Sequence, residues 1–303
     1  MKVLILGCGY LGLPLGRELV GAGHQVFGVR RQAEGTSDLQ SAGIVPLAAD
    51  LTRAGDLQRL GGPYDWIVNC VSSSRGGAEV YRRVFLDGAR QLLAWLAPQP
   101  PRKYVWTSST SVYGQTDGGW VTEASPVSPA TATGQVLMET ENLLRTAWQR
   151  DGFPAIILRL SGLYGPGRGH LFQQFLRGEA RLHGEGGRYL NMVHLDDAVS
   201  ALRAALERGL PGETYNVTDG EPVTERAFFS WLAEALERPL PPEAPESALA
   251  GRKRGLTSKR VSNRRLTEEL RVGLRYPDYR AGYAAEIQRW RETGHQGRDF
   301  CKT

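Results

Sequence analysis

The sequence predicts an α/β protein: a Rossmann-type, doubly wound parallel sheet with a smaller, partly interleaved C-terminal lobe. Three observations carry this. Short apolar runs alternate with amphipathic helical segments through the first half. The first run leads straight into a glycine-rich turn, GCGYLG at 7–12, that opens a helix. After Gly162 the alternation gives way to a glycine- and arginine-rich stretch.

Taken in order, Lys2 to Leu6 (KVLIL) reads as a buried strand and Leu13 to Ala22 as a helix. Strands follow at Gln25–Val29, Ile44–Ala48 and Trp66–Val71. From Ala78 to Ala97, Val80, Val84, Phe85, Leu92, Leu93 and Leu96 recur at helical spacing. Lys103–Thr107 is a fifth strand, Val136–Trp148 a helix and Ala155–Leu160 a sixth strand. A short strand and helix near Asn191–Leu206, a strand at Thr214–Val217 and a helix near Thr224–Leu236 complete the pattern, followed by a Pro/Glu-rich loop (RPLPPEAPES) and a basic segment. We place the dinucleotide-binding domain at 1–165, with 190–218 returning to it, and the substrate lobe mainly at 166–303.

Composition narrows the function classes. With 41% hydrophobic and 23% charged residues in 303, the chain is neither disordered nor fibrous. No run approaches the roughly 18 apolar residues of a membrane span. The N-terminal run ends in a glycine turn, as a buried strand does and a cleaved leader does not. Three cysteines, Cys8, Cys70 and Cys301, lack the spacing of a disulfide framework or a zinc site, so no metal and a reducing, cytoplasmic setting are expected. The net charge of +5 comes mostly from scattered arginines, and lysine occurs only at 2, 103, 253, 259 and 302. One cluster is dense: Arg252, Lys253, Arg254, Lys259, Arg260, Arg264 and Arg265. No nucleic-acid motif accompanies it, so a small, anionic substrate is the expected partner rather than DNA or RNA.

Gly7-Cys8-Gly9-Tyr10-Leu11-Gly12 is a GxGxxG run in the context that dinucleotide binding requires. The first glycine permits the sharp turn, the second lets a pyrophosphate approach the backbone, and the third lets helix pack on strand. The helix N-terminus offers free N–H groups to the phosphates. Where an NAD site normally carries an acidic residue, the second strand runs into Arg30 and Arg31. A guanidinium fork there suits the 2′-phosphate of NADP, which is favoured over NAD. Asp50, followed by Leu51, stands where it can meet the adenine amine or, alternatively, cap a helix. Asn69, Cys70, Val71 and Ser72 follow the fourth strand in a small, polar run, suited either to close approach of a ribose or to an ordinary strand end with turn residues.

Several segments in order resemble the extended short-chain dehydrogenase/reductase superfamily, the NAD-dependent epimerase/dehydratase family. They are GCGYLG at 7–12, Asp50-Leu51, WTSSTSVYG at 106–114, TEASPVSP at 122–129, RLSGLYGPG at 159–167, VHLDDA at 193–198 and SKRVSNRRLTEEL at 258–270. The resemblance implies a nicotinamide coenzyme bordered by Leu160, Ser161, Gly162 and Leu163. It also implies hydride chemistry assisted by a Ser, a Tyr and a Lys. The serine carries over to Ser109. The Tyr-x-x-x-Lys pair does not: Thr133 falls at the tyrosine position and Leu137 at the lysine position, and no lysine exists between 103 and 253. An alcohol has no accessible ionisation near neutral pH, so Thr133 cannot replace a phenol as acid/base.

Ser109, Tyr113 and Thr133 form the candidate catalytic set. Tyr113, Tyr164 and His194 are candidates to take over the proton, and each has an ordinary packing role as its alternative. Asp197 reads as the cap of the helix that follows it. The acidic pair that sugar-nucleotide dehydratases carry after the serine is Thr110-Ser111 here, so dehydration is not expected. Arg168, His170, Arg188 and the Lys259–Arg265 cluster form a candidate anion site. Two readings stand: an NADP-dependent oxidoreductase or epimerase-like enzyme on a small, anionic or sugar-like substrate, and a non-catalytic NADP(H) sensor or scaffold. The helices at Ala78–Ala97 and Val136–Trp148 could pair two copies into a homodimer.

Overall fold

The structure, a computed structural model, describes residues 1–32, 35–73, 76–245 and 257–292. Arg252, Lys253, Arg254 and Cys301 lie outside the described residues.

The strands are β1 (Lys2–Leu6), β2 (Gln25–Arg30), β3 (Val45–Ala48), β4 (Trp66–Asn69), β5 (Lys103–Ser109), β6 (Trp120–Val121), β7 (Ala155–Leu160), β8 (Gly162–Tyr164), β9 (Tyr189–Leu190), β10 (Met192–His194), β11 (Thr214–Val217), β12 (Val223–Thr224) and β13 (Arg260–Val261). The helices are α1 (Gly12–Gly21), α2 (Ser37–Ser41), α3 (Ala54–Gln58), α4 (Ala78–Tyr81), α5 (Gly88–Leu96), α6 (Ala132–Asp151), α7 (His170–Leu176), α8 (Leu195–Arg208), α9 (Glu225–Leu236), α10 (Arg264–Glu268) and α11 (Tyr279–Glu292). A π-helical turn, Arg82–Asp87, joins α4 to α5, so the helix expected at Ala78–Ala97 is continuous but locally underwound.

Seven strands form one sheet in the order β11-β7-β5-β4-β1-β2-β3, and every neighbouring pair is parallel. The period of two along each strand builds the two cores. Val3 and Ile5 of β1, Val105 of β5, and Ile156 and Leu158 of β7 face a core shared with Leu15 and Leu19 of α1 and Leu202 and Leu206 of α8. Leu4 and Leu6, Tyr104 and Trp106, and Ile157 face the other core, with Leu92 and Leu96 of α5 and Val136 and Leu144 of α6. These strand side chains are buried almost completely. Each contributes about 1.5–3 kcal/mol of apolar burial, so the alternation alone fixes which face each strand presents.

From β1 the chain winds outward through β2 and β3, then returns to β4 on the other side of β1. The crevice at the C-terminal ends of β1 and β4 is therefore the switch point where such sheets take ligands. A third, aromatic core sits apart, built from Tyr164, Phe172 and Phe175 with Phe228, Phe229, Tyr279 and Tyr283. Two short ladders, β10 on β8 and β12 on β9, frame it, and β13 pairs with β6. Among the described residues no helix is long and apolar enough to cross a membrane.

Candidate active site

The three glycines of the first turn differ by what surrounds them. Gly7 has φ +79°, and a Cβ there would lie 2.8 Å from the Val71 backbone, so the end of β4 packs directly on the turn. A Cβ on Gly12 would lie 2.9 Å from both the Gly7 carbonyl oxygen and Ile5, so this glycine is where helix meets strand. A Cβ on Gly9 would meet nothing within 4 Å. The backbone is thus closed at Gly7 and Gly12 and open at Gly9, the shape a pyrophosphate cradle needs. Leu11, at the N-cap of α1, gives no side-chain cap, and the first turn carries no acidic residue. Leu13 N–H donates to the Gly9 carbonyl and residue 14 is proline, so at this helix end the Gly12 N–H is the one left to an anion.

Two further observations fit a dinucleotide here. The Tyr10 and Ser161 hydroxyl oxygens are buried without a hydrogen-bond partner, and both lie in segments expected to border the coenzyme. Cys8 and Cys70 are free and buried. Burial pushes the Cys8 thiol up to about 12 and raises Cys70 as well, so both pack as small apolar groups. Cys70 N–H donates to the Leu6 carbonyl, which brings Cys70, Val71 and exposed Ser72 alongside the turn. Leu160 is buried in the sheet core, Leu163 packs on it, and Gly162 is exposed at the crevice edge.

The two arginines at the end of β2 have different surroundings. Arg30 donates from Nε to the Cys8 carbonyl (2.7 Å) and from its two Nη atoms to both Asp38 oxygens (2.9 and 2.7 Å). It braces the glycine turn, and its fork is filled. Arg31 is exposed beside it. Asp50 accepts from the Thr52 N–H and hydroxyl at 2.9 and 2.8 Å. Burial tends to raise its carboxyl, but these bonds outweigh it and hold the group below its ordinary value. Asp50 closes a turn, and Arg53 occupies the N-cap position of α3. Leu51 is buried in the sheet core.

At the C-terminal end of β5, Ser109 starts a short 3₁₀ turn, and its Oγ accepts from the Ser111 N–H at 3.2 Å. A cavity of about 70 Å³ opens beside it, lined by Tyr81, Ser109, Ser111, Thr131, Thr133, Leu137 and Thr257. Ser109, Thr133 and Leu137 thus share one space. Thr131 caps α6 through the Gly134 N–H, and its hydroxyl lies 3.3 Å from that of Thr133.

Tyr113 lies elsewhere. Its phenol is buried, accepts from Arg159 Nη1 at 2.6 Å and lies 2.9 Å from both the Asn216 amide oxygen and the Thr122 carbonyl. Burial raises its pKa against the opposing pull of Arg159. Arg159 also grips Glu141, which accepts the Ser108 hydroxyl at 2.7 Å. The phenol therefore faces away from the Ser109 cavity into a charged network that supports the strand end.

Tyr164 stacks on Tyr283 with centroids 4.2 Å apart inside the aromatic core. His194 caps α8 by accepting from the Asp196 N–H at 3.2 Å, and its Nε2 lies 3.4 Å from Glu286. Asp197 was expected to be that cap. It instead receives the Arg275 and Tyr276 N–H groups at 2.7 and 3.0 Å, anchoring the approach to α11. A histidine accepting through Nδ1 one turn earlier already satisfied the helix end.

The expected anion cluster is dispersed. Arg168 lies over the Tyr10 ring, 4.7 Å from its centroid. Arg188 is paired with buried Glu225, Arg264 with Glu268 and Arg265 with Glu269 and Glu213. Arg260 lies between the Trp120 and Tyr189 rings. His170 begins α7. Sequence reasoning missed Tyr81, Thr257 and Glu141, and placed Lys259 in the anion cluster rather than beside the Ser109 cavity. Tyr81 and Glu141 sit on helices where only the apolar stripe was read. Thr257 and Lys259 come from a segment nearly 150 residues from Ser109, and no local pattern connects them.

A comparison with protein families matches residues 3–218 to the NAD dependent epimerase/dehydratase family. Protein YeeZ of Escherichia coli K12 is 31% identical over 283 residues, covering 91% of this chain and 97% of the relative. A solved conserved protein of unknown function from Silicibacter pomeroyi is 30% identical, with a TM-score of 0.75 over 95% of this chain and 98% of its own. The fold also matches a dTDP-glucose 4,6-dehydratase from Streptomyces venezuelae, solved with NAD bound, with a TM-score of 0.83 at 23% identity over 96% of this chain and 97% of its own. With the glycine cradle at its switch point and the family pattern running from β1 through β11, this chain belongs to the NAD-dependent epimerase/dehydratase family.

Proposed function

We propose that the chain is an NADP(H)-dependent oxidoreductase or epimerase-like enzyme acting on a small, anionic or sugar-like carbonyl substrate. The observation that carries this is the conjunction of an open cradle at Gly9 with a hydroxyl-lined cavity beside Ser109. A nicotinamide coenzyme supplies or accepts a hydride when bound. The residues that would hold it are the 7–12 turn, Arg31 and Asp50 at the adenosine end, Cys70–Ser72, and Leu160–Leu163.

The preference for NADP rests on Arg31, since β2 itself ends in arginine rather than an acidic residue and the nearby Asp38 carboxylate is held in the Arg30 fork. Arg30 shapes the site by fixing the Cys8 carbonyl. Ser109 hydrogen-bonds the substrate oxygen. Thr133 contributes shape and a second hydroxyl but no ionisable group, and Tyr113 supports Ser109 from behind through Arg159 and Glu141. The small cavity favours a compact reacting group. The protein is taken to work in the cytoplasm, as a monomer or as a homodimer paired through the helices at Ala78–Ala97 and Val136–Trp148.

The test is coenzyme oxidation by the purified protein against small keto acids and keto sugars. Carbonyl-dependent oxidation of NADPH, matched by alcohol formed, supports the assignment. Saturable NADPH binding without turnover against any such carbonyl favours the non-catalytic NADP(H) sensor instead.

A further inference from the structure

Lys259 is the one lysine between 103 and 302 that lies among the described residues, and it is buried, with 4% of its surface exposed. Its Nζ donates to the Tyr113 carbonyl at 3.0 Å and to the Thr257 hydroxyl oxygen at 2.8 Å. Among the described residues no carboxylate pairs with it. A buried ammonium without a counter-ion is costly, and an apolar side chain of similar length would pack there without that cost.

The backbone around it is held from several sides. Ser258 exchanges hydrogen bonds with Gly118 and Gln115 (2.9 and 3.1 Å), and Asn191 binds the Lys259 carbonyl and the Val261 N–H (2.9 and 2.8 Å). Thr257, two residues earlier, lines the cavity shared by Ser109 and Thr133. Because the Thr257 oxygen already accepts from Nζ, its single proton is free for another acceptor, and the cavity that Thr257 lines can hold one.

We propose that Thr257 is a catalytic residue of the Ser109 cavity and that Lys259 is a positioning residue acting through it, together forming an electropositive site for a carbonyl or carboxylate oxygen. This deepens the oxidoreductase reading and rests on it. In the reducing direction, hydride from a reduced nicotinamide coenzyme adds to the carbonyl carbon, and the carbonyl oxygen takes the Thr257 proton. In the same event Thr257 takes a proton from the Lys259 ammonium, so it relays a proton without ionising, and the Lys259 amine regains one from water. The balance is one carbonyl, one hydride and one proton to one alcohol. Burial pushes the Lys259 amine down to about 8, close enough to neutrality for the group to serve both as charge and as proton reservoir. The titratable groups on the segments packed against it are Tyr113, whose phenol is turned to Arg159; Tyr189 and Arg260, which stack together; and Asp117, which accepts the Gly119 N–H.

The test uses the full chain loaded with NADPH and carrying lysine isotope-labelled at Cε, read by NMR. The signal lost in Lys259→Arg identifies Lys259 among the five lysines. Formate is the probe, with chloride at equal ionic strength as control. An anion in the cavity favours the charged amine, so formate is expected to raise the Lys259 midpoint by roughly half a unit or more. Thr257→Val is expected to abolish that response and Thr257→Ser to restore it, with thermal melting showing that both variants fold. A Lys259 midpoint blind to formate in the wild type, or an unchanged response in Thr257→Val, overturns the proposal. Failure of NADPH to bind contradicts the oxidoreductase reading instead, and the Lys259 response is still read in the free protein.

Discussion

Arg30 meets Asp38 as fork to carboxylate, both Nη atoms bonded to both oxygens at 2.9 and 2.7 Å, while its Nε holds the Cys8 carbonyl inside the glycine turn. The arginine that sequence position nominated for the 2′-phosphate is thereby a brace for the turn, and Arg31 is left at the rim. Arg30→Met is expected to weaken NADPH and NADH alike, by about tenfold, since a charge-assisted pair that shapes the turn contributes about 1.5 kcal/mol. Parallel titrations of the two coenzymes check it. A selective loss of NADPH would return the 2′-phosphate to Arg30.

Glycine substitutions separate folding from binding. Gly9→Val is expected to melt close to the wild type and to lose coenzyme affinity, because its side chain enters open space where the pyrophosphate belongs. Gly12→Ala is expected to lose about 1–3 kcal/mol of stability, because its methyl group meets Ile5 and the Gly7 carbonyl oxygen at 2.9 Å. Denaturant melts alongside coenzyme titrations check both.

How much of this was legible in the sequence follows from how local the signal was. KVLIL predicted β1 with its observed bounds, because a fully buried parallel strand is a continuous apolar run. The helix expected at Val136–Trp148 extends to Ala132–Asp151 because Thr131 caps it and Gly152, in a left-handed conformation, ends it, signals outside the apolar stripe. The five-residue helices α2 and α3 are too short to show a period, and α11 was hidden because its apolar face is mostly tyrosine and glycine. The glycine turn was readable because each glycine has its own steric reason. The Arg30–Asp38 pair, the Glu141–Arg159–Tyr113 network and the Lys259–Tyr113 contact were not, because each joins segments that only the folded chain brings together.

Tyr113→Phe discriminates a supporting phenol from a catalytic one. Removing the hydroxyl leaves a buried Arg159 nitrogen without its partner, at a cost of about 1–3 kcal/mol. Stability is expected to fall, with turnover changing by no more than a few-fold in the protein that remains folded. Glu141→Gln, which leaves the fully buried Arg159 charge unpaired, is expected to cost about 3–5 kcal/mol. A thousandfold loss of turnover in Tyr113→Phe at unchanged stability would make the phenol the acid.

Thr133→Ala is expected to leave turnover within a few-fold of the wild type, because the hydroxyl it removes does not ionise near neutrality. Steady-state kinetics checks this, and a thousandfold drop with coenzyme binding intact would show Thr133 to be essential.

Asp219 sets a pH dependence. One carboxylate oxygen is buried without a partner. Burial, reinforced by Asp278, Glu221 and Asp197, raises its pKa well above 3.8 against the single backbone bond from Glu221. The folded protein therefore holds a proton that the unfolded chain releases. The stability this confers is complete below the unfolded value and is lost as pH rises through the raised folded value. Asp219→Asn is expected to remove that slope and to be the more stable protein above the window. Urea melts across the acidic to neutral range check the sign.

Calorimetric titration of NADPH and NADH into the wild type and Arg31→Glu tests the central claim most directly. The cradle at Gly9 and the guanidinium at Arg31 predict one saturable site per chain. NADPH should bind at least about tenfold more tightly than NADH, and Arg31→Glu should erase or reverse that preference. Absence of binding heat with either coenzyme, or equal affinities that Arg31→Glu leaves unchanged, would contradict it.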